Sequence, residues 1–285
     1  MKIAKIAGII VAVPVVGLAT FIATFDIGKY KGLIQDQAKA ATGRDVVIGD
    51  IKMAFSLTPA VTLTNVTMAN APWGSRPQMV ILKTAVARLS LIPLLSGKVD
   101  IASITAEDPD LWLETDRQGK GNWEFTSAAP AATPAKSDGA ALNVGALGAT
   151  GLKLNYKDGK TGQVTKVGLK SLDVSLDAPL TAMVVTRVEA SDAAVSMKDA
   201  KSATMVTVDK FIMDAKGKIS DLGITNIAAS DAKVSYKSEG APVEAEFSKL
   251  ALDKDGKLDV AGKLNGEEVK ASGALAPVAV LMALN

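Results

Sequence analysis

The sequence predicts a mainly β protein: an N-terminal transmembrane helix, a short amphipathic helix, then an elongated antiparallel β-sheet built of repeats of about 40 residues. Three observations carry this. Residues Ile6 to Phe25 hold no charge. Apolar and polar residues alternate at a period of two through much of the chain after Thr42, with turn signals between the runs. Four segments resemble one another at a nearly constant spacing.

The charge-free run from Ile6 to Phe25 is 20 residues long. As a helix at about 1.5 Å per residue it spans the roughly 30 Å of a bilayer core. Lys2 and Lys5 precede it and Asp26 follows, so the positive-inside rule places the N-terminus in the cytoplasm and the body across the membrane. A cleaved signal peptide is the competing reading, but it has a shorter apolar region and an A-x-A site behind it. No such site follows here, so the membrane anchor is read as uncleaved and bounded by Ile6 and Phe25.

Residues Ile27 to Thr42 read as a short amphipathic helix, with Ile27, Tyr30, Ile34 and Ala38 near one stripe and Gly43 as its stop. It is expected at the membrane surface or as a cap on the first strands. Strands come next. Val61 to Met68, Leu152 to Tyr156 and Leu172 to Leu176 alternate cleanly, and Asp158-Gly159, Lys216-Gly217, Asp255-Gly256 and Asn265-Gly266 mark turns. Short connections between neighbours imply antiparallel meanders.

The similar segments begin at Ala106 (AEDPDLWL), Ala149 (ATGLKLNY), Ala190 (ASDAAVSM) and Ala229 (ASDAKVSY), at spacings of 43, 41 and 39 residues. A second register follows at Leu172, Phe211 and Leu250, spaced by 39 residues each time. Such a period suggests stacked β units in a quasi-one-dimensional body. An Ala/Pro/Ser stretch interrupts the pattern. The expected organisation is an anchor over 1–26, a β region with short helices over 27–126, a linker over 127–141 and a repetitive sheet over 142–285.

Composition excludes much chemistry. The chain has no Cys and no His, which removes thiol nucleophiles, Ser-His-Asp triads, disulfides and most catalytic zinc sites. A net charge of +2 with 22% charged residues argues against a nucleic-acid partner. Asp253-Lys254-Asp255-Gly256 echoes a calcium loop but lacks the remaining ligands and reads as a turn. Gly119-Lys120-Gly121 completes no phosphate loop, and the carboxylates form no isolated acid/base pair. Neither an enzyme nor a cofactor nor a metal site is expected.

The alternation instead places Leu111 and Leu113, Leu152, Leu154 and Tyr156, Val195 and Met197, and Val234 and Tyr236 at equivalent positions on one face. On the order of twenty such side chains, at about 1.5–3 kcal/mol each, represent tens of kcal/mol of burial. That face needs a second sheet, a curl of the same sheet, or a ligand such as acyl chains to cover it. Periodicity does not choose between these.

A resemblance bears on the choice. Ala41 to Gly49 (ATGRDVVIG) resembles the "TGR-x-V-x-I" segment near the start of AsmA-family proteins. Thr58 to Leu63, the element Val66 to Gly74 (VTMANAPWG) and Leu91 to Gly97 (LIPLLSG) are similar to the family's next strand, its "ANAPWG" element and its "L-x-PLLSG" turn. Asp108 to Glu114 (DPDLWLE) and Gly119 to Phe125 (GKGNWEF) resemble its "P-x-L-x-L…G-x-x-NW-x-F" pattern. The ordered set covers roughly residues 1 to 126. It implies a single-pass inner-membrane anchor with the body in the periplasm, a long curved sheet with an apolar groove, and a role in phospholipid transport or outer-membrane assembly. The nine residues of the shared face then become groove candidates, and Arg44 in the TGR segment a candidate for a lipid headgroup, beside its reading as a packing arginine. Trp73, Trp112 and Trp123 read as headgroup-level anchors or as packing residues. Members usually continue past the point where this chain ends, and at about 3.3 Å per strand residue and about 4.8 Å per strand a single copy is expected to be too small to bridge the periplasm. A non-catalytic assembly factor for outer-membrane proteins is the alternative, with other envelope proteins as partners.

Overall fold

Alternation gives each strand one apolar and one polar side, and short turns pair neighbours edge to edge. The computed structural model describes residues 26–95, 100–125, 144–176, 184–198, 201–216, 223–237, 242–253 and 255–274. These form one sheet of 13 strands. In chain order they are β1 (Val46–Ala54), β2 (Ala60–Ala69), β3 (Gln78–Leu89), β4 (Ile101–Glu107), β5 (Asp110–Glu114), β6 (Ala146–Lys157) and β7 (Val164–Leu176). Then come β8 (Val185–Lys198), β9 (Ala203–Lys216), β10 (Gly223–Lys237), β11 (Val243–Leu252), β12 (Lys257–Leu264) and β13 (Glu267–Ala274). Sheet order follows chain order, except that β5 sits off the path and pairs with β3 and β6. The expected anchor, Ile6 to Phe25, and the linker, 127–141, lie outside the described residues. Among the described residues no helix is long and apolar enough to cross a membrane.

The expected all-antiparallel meander needs one correction. β6 runs parallel to both β4 and β5. Parallel neighbours need a connection of a dozen or more residues to bring the chain back to its starting end. The stretch between Glu114 and Ala146 supplies that length. Among the described residues no second sheet is formed: the described strands all belong to the one sheet.

The expected first helix resolves into a 3-10 turn, Ile27–Tyr30, and an α-helix, Lys31–Thr42, which Gly43 ends at φ 67°. The α-helix lies along the free edge of β1. Gln35 Oε1 accepts from Ile48 N at 2.9 Å, Lys31 Nζ donates to Gly49 O at 3.1 Å, and Lys39 pairs with Asp45 at 2.6 Å. An open edge strand is a template for unwanted pairing, and this helix blocks it.

At mid-height the sheet carries a seam. Asn65, Asp108, Gly151, Asp192 and Asp231 have φ of 51°, 47°, 68°, 45° and 50°. Asn, Asp and Gly are the residues that tolerate this left-handed region. The last four occupy the third position of the four similar segments. In Gly151 a Cβ would also meet Asp108 Oδ1 at 2.5 Å. These residues share one level: Asp192 and Asp231 flank Asp209 from either side, because Ser191 and Ser230 both pair Lys210 while Ala193 and Ala232 both pair Val208.

The seam reverses the pleat. Lys83 Nζ reaches Glu107 Oε1 at 2.9 Å and Asp108 Oδ2 at 3.4 Å, so two consecutive carboxylates stand on one side. A regular strand forbids this, since successive side chains alternate. The apolar set changes parity at the same point and keeps its face: Val188 and Ala190 precede the seam on β8, and Ala193, Val195 and Met197 follow it. β7 shifts at the same level, from Val174 and Leu172 to Leu169 and Val167.

Candidate functional site: a continuous apolar face

The seam divides the apolar face into two halves, and cross-strand pairing extends each half over the sheet. Beyond the seam, Val46 pairs Met68, Met68 pairs Val80, and Val80 pairs Leu111. Leu111 pairs Leu154, which pairs Val167, which pairs Val195. Val195 pairs Val206, Val206 pairs Val234, Val234 pairs Ala245, and Ala245 pairs Leu264. The row runs from β1 to β12 without a polar residue, over roughly 50 Å at about 4.8 Å per strand.

Nearer the Phe55–Pro59 end a second row repeats the pattern. It starts with Met53, Val61 and Ala87, continues through Ile104, Leu147, Val174 and Val188, and ends with Met213, Ile227, Leu252 and Leu258. Between them Ala149, Leu172, Ala190, Phe211, Ala229 and Leu250 pair in succession, so large side chains alternate with alanines.

These rows are half-buried rather than buried. In the first row Ala245 alone is buried and Leu264 is exposed. Within a single layer, a side chain is shielded only by its neighbours on the same face. Full burial is confined to small groups, the largest apolar one being Val144, Leu176 and Val185 with Ile101, Ile104, Leu147, Val174 and Val188 around them. No described element packs over the apolar face as a second layer.

The nine groove candidates fall in this frame. Leu111 stands beside Leu154, and Leu113 beside Tyr156. Val195 and Val234 flank Val206, while Met197 and Tyr236 flank Thr204. Leu152 pairs Leu169. Sequence reasoning missed the intervening strands: Val167, Leu169, Val206, Val208 and Ala245 complete the face. The second register of Leu172, Phe211 and Leu250 was the available signal, and it lies in the alanine row.

One corner of the sheet is fixed by a buried polar network built from the motif residues. Asn70, Glu114 and Asn122 are 7%, 3% and 0% exposed. Glu114 Oε1 accepts from Asn70 Nδ2 and Ser75 N, both at 2.8 Å. Asn122 Nδ2 donates to Asn70 Oδ1 and to Trp112 O, each at 2.8 Å. Burial opposes the Glu114 charge, but the hydrogen bonds from Ser75 and Asn70, with Lys157 nearby, outweigh it and hold the carboxyl below the usual range.

Arg44 lies in this corner: its Nη1 donates to Asn70 O at 3.1 Å, tying the end of the first helix to the network. Trp112 donates Nε1 to Ser75 Oγ at 3.2 Å, and the Arg76 guanidinium lies 5.4 Å from its ring. Trp123 packs against Tyr156 with ring centroids 6.2 Å apart, at the end of the apolar face. Trp73 stays exposed. Among the described residues no group of His, Cys, Asp and Glu is placed to hold a metal ion.

Compared with known proteins, residues 1–265 match the family model described as the AsmA family. A search of the curated proteins returns no match.

Proposed function

The chain belongs to the AsmA family, and we propose that its sheet binds lipid acyl chains on the apolar face, as a membrane-anchored, non-enzymatic contributor to phospholipid transport and outer-membrane integrity in the bacterial envelope. One observation carries the reading. An apolar row crosses the sheet from β1 to β12, largely half-buried, and no element among the described residues forms a layer over it. Apolar area of that extent is costly in water and is offset by contact with an apolar ligand. Acyl chains fit because they are linear, apolar and tolerant of position, and the row offers no hydrogen-bond donors or acceptors from its side chains. The charge-free run Ile6 to Phe25 supports a single-pass inner-membrane anchor with the N-terminus in the cytoplasm and the body in the periplasm.

The test compares the full chain with two triple variants, all purified from a Gram-negative host. Leu154→Ser, Val195→Ser and Val206→Ser together change the apolar row. Lys153→Ser, Thr207→Ser and Met205→Ser change the opposite side. Phospholipid per protein, counted by mass spectrometry, falls several-fold in the first variant alone. Equal lipid in all three proteins overturns the reading.

A second reading has one observation in its favour. Among the described residues β13 pairs only with β12, and its other edge offers backbone groups to a partner strand. An assembly factor for envelope proteins uses such an edge. Site-specific crosslinking from β13 that captures an outer-membrane protein supports it.

A further inference from the structure

Two of the most exposed large hydrophobic residues lie on neighbouring loops at one end of the sheet. Leu57, in the loop between β1 and β2, is 85% exposed, and Ile92, in the short helix Leu91–Leu95 after β3, is 82% exposed. Both loops leave the same end of neighbouring strands, and Leu89 N donates to Pro59 O at 2.7 Å, which holds them together. Pro59 itself is fully buried, so the Leu57 loop is fixed at its base.

The helix Lys31–Thr42 shows where the N-terminal run attaches. Its end meets the start of β1 through Lys39 and Asp45, while Lys31 reaches Gly49 farther along. The chain before Lys31 therefore continues toward the Phe55–Pro59 end of β1, and the 3-10 turn Ile27–Tyr30 packs on that strand. The 20 charge-free residues that end at Phe25 lie immediately before it. Leu33, on the same stretch of helix, is 55% exposed.

We propose that Leu57 and Ile92 form a rim that dips into the bilayer surface beside the anchor, seating the β1–β4 corner of the sheet on the membrane. This rests on the reading of Ile6 to Phe25 as a membrane anchor. A bilayer is the occupant favoured here because, on that reading, the anchor ends immediately before the 3-10 turn that packs on β1. Aliphatic side chains on short loops are suited to the boundary between headgroups and acyl chains. The rim places the first strands of the apolar face against the lipid from which acyl chains would be drawn.

The absence of Cys makes the test direct. Leu57→Cys, Ile92→Cys, Val15→Cys and Lys160→Cys are made singly in the full chain, nitroxide-labelled, and reconstituted in phosphatidylethanolamine/phosphatidylglycerol vesicles. Collision with oxygen, which concentrates in hydrocarbon, is compared with collision with a water-soluble nickel chelate. Lys160 lies on the turn between β6 and β7, at the opposite strand end, and serves as the aqueous reference. The expected result is an oxygen-to-nickel ratio several-fold above that of position 160 at positions 15, 57 and 92. An aqueous ratio at 57 and 92 with a hydrocarbon ratio at 15 overturns the rim and leaves the anchor reading standing. An aqueous ratio at 15 overturns the anchor reading and the rim with it. Shielding of 57 and 92 from both reagents means a protein contact, such as a second copy, and also overturns the rim.

Discussion

Leu111 and Leu154 are cross-strand partners in the parallel pairing of β5 with β6, and through that step the apolar row on β1, β2, β3 and β5 runs on into that on β6 to β12. The step depends on the chain's return between Glu114 and Ala146, because an antiparallel β6 would set a different register. It makes one surface out of two regions that residues 115–145 separate in sequence.

Residues on this face are expected to tolerate polarity as far as folding goes. Leu154→Asp sits on a half-buried strand face. It should leave the circular-dichroism spectrum intact and shift the melting temperature by only a few degrees, corresponding to about 1 kcal/mol, while reducing bound lipid. Leu176→Asp puts an unpaired charge into the buried cluster with Val144 and Val185. It should cost about 3 kcal/mol or more in a urea melt.

The seam predicts a specific order of substitutions at Asp231, whose φ is 50°. Asp231→Gly should be nearly neutral. Asp231→Val should cost about 1–2 kcal/mol, since a β-branched residue is disfavoured in the left-handed region. Equal urea midpoints for the two variants would show that the left-handed geometry is not maintained in solution.

The Glu114 carboxylate gives a pH dependence whose sign is fixed. Its pKa in the folded chain lies below the ordinary glutamate value. Its contribution to stability is therefore present above the unfolded value of about 4.3 and is lost as the pH falls through the folded value. Glu114→Gln should cost about 1–3 kcal/mol at neutral pH. It should also flatten the loss of stability below about pH 4.3, as read from urea midpoints across pH.

Gln35 guards the edge of β1 through Ile48 N. Gln35→Ala should leave the fold unchanged and raise self-association, measured by sedimentation velocity. An unchanged monomer fraction would mean that the rest of the helix covers the edge alone.

Much of this was legible in the sequence. Period-two runs located the strands, and Asn265-Gly266 placed the last hairpin, where both residues have positive φ. Gly43 stopped the first helix. The nine apolar candidates were placed on one face from alternation. Three features were not legible. The seam shifts the apolar parity within β1 to β3 and β6 to β11 and between β4 and β5, and alternation alone reads such a shift as a break rather than a bend. The parallel β6 depends on where a long connection goes, and local pattern carries no such information. The corner network joins Asn70, Glu114 and Asn122, separated by 44 and 52 residues, and each looks like an ordinary motif position until the fold brings them together.

Val206 and Met205 are consecutive on β9: Val206 sits in the middle of the apolar row, and Met205, 50% exposed, points to the other side of the sheet. Benzoylphenylalanine placed at each position in the full chain, and irradiated in Gram-negative cells, tests the apolar face most directly. Phospholipid adducts at position 206 and none at 205 are the predicted result. Equal lipid adducts at both positions, or protein adducts without lipid at 206, would contradict a lipid-binding face.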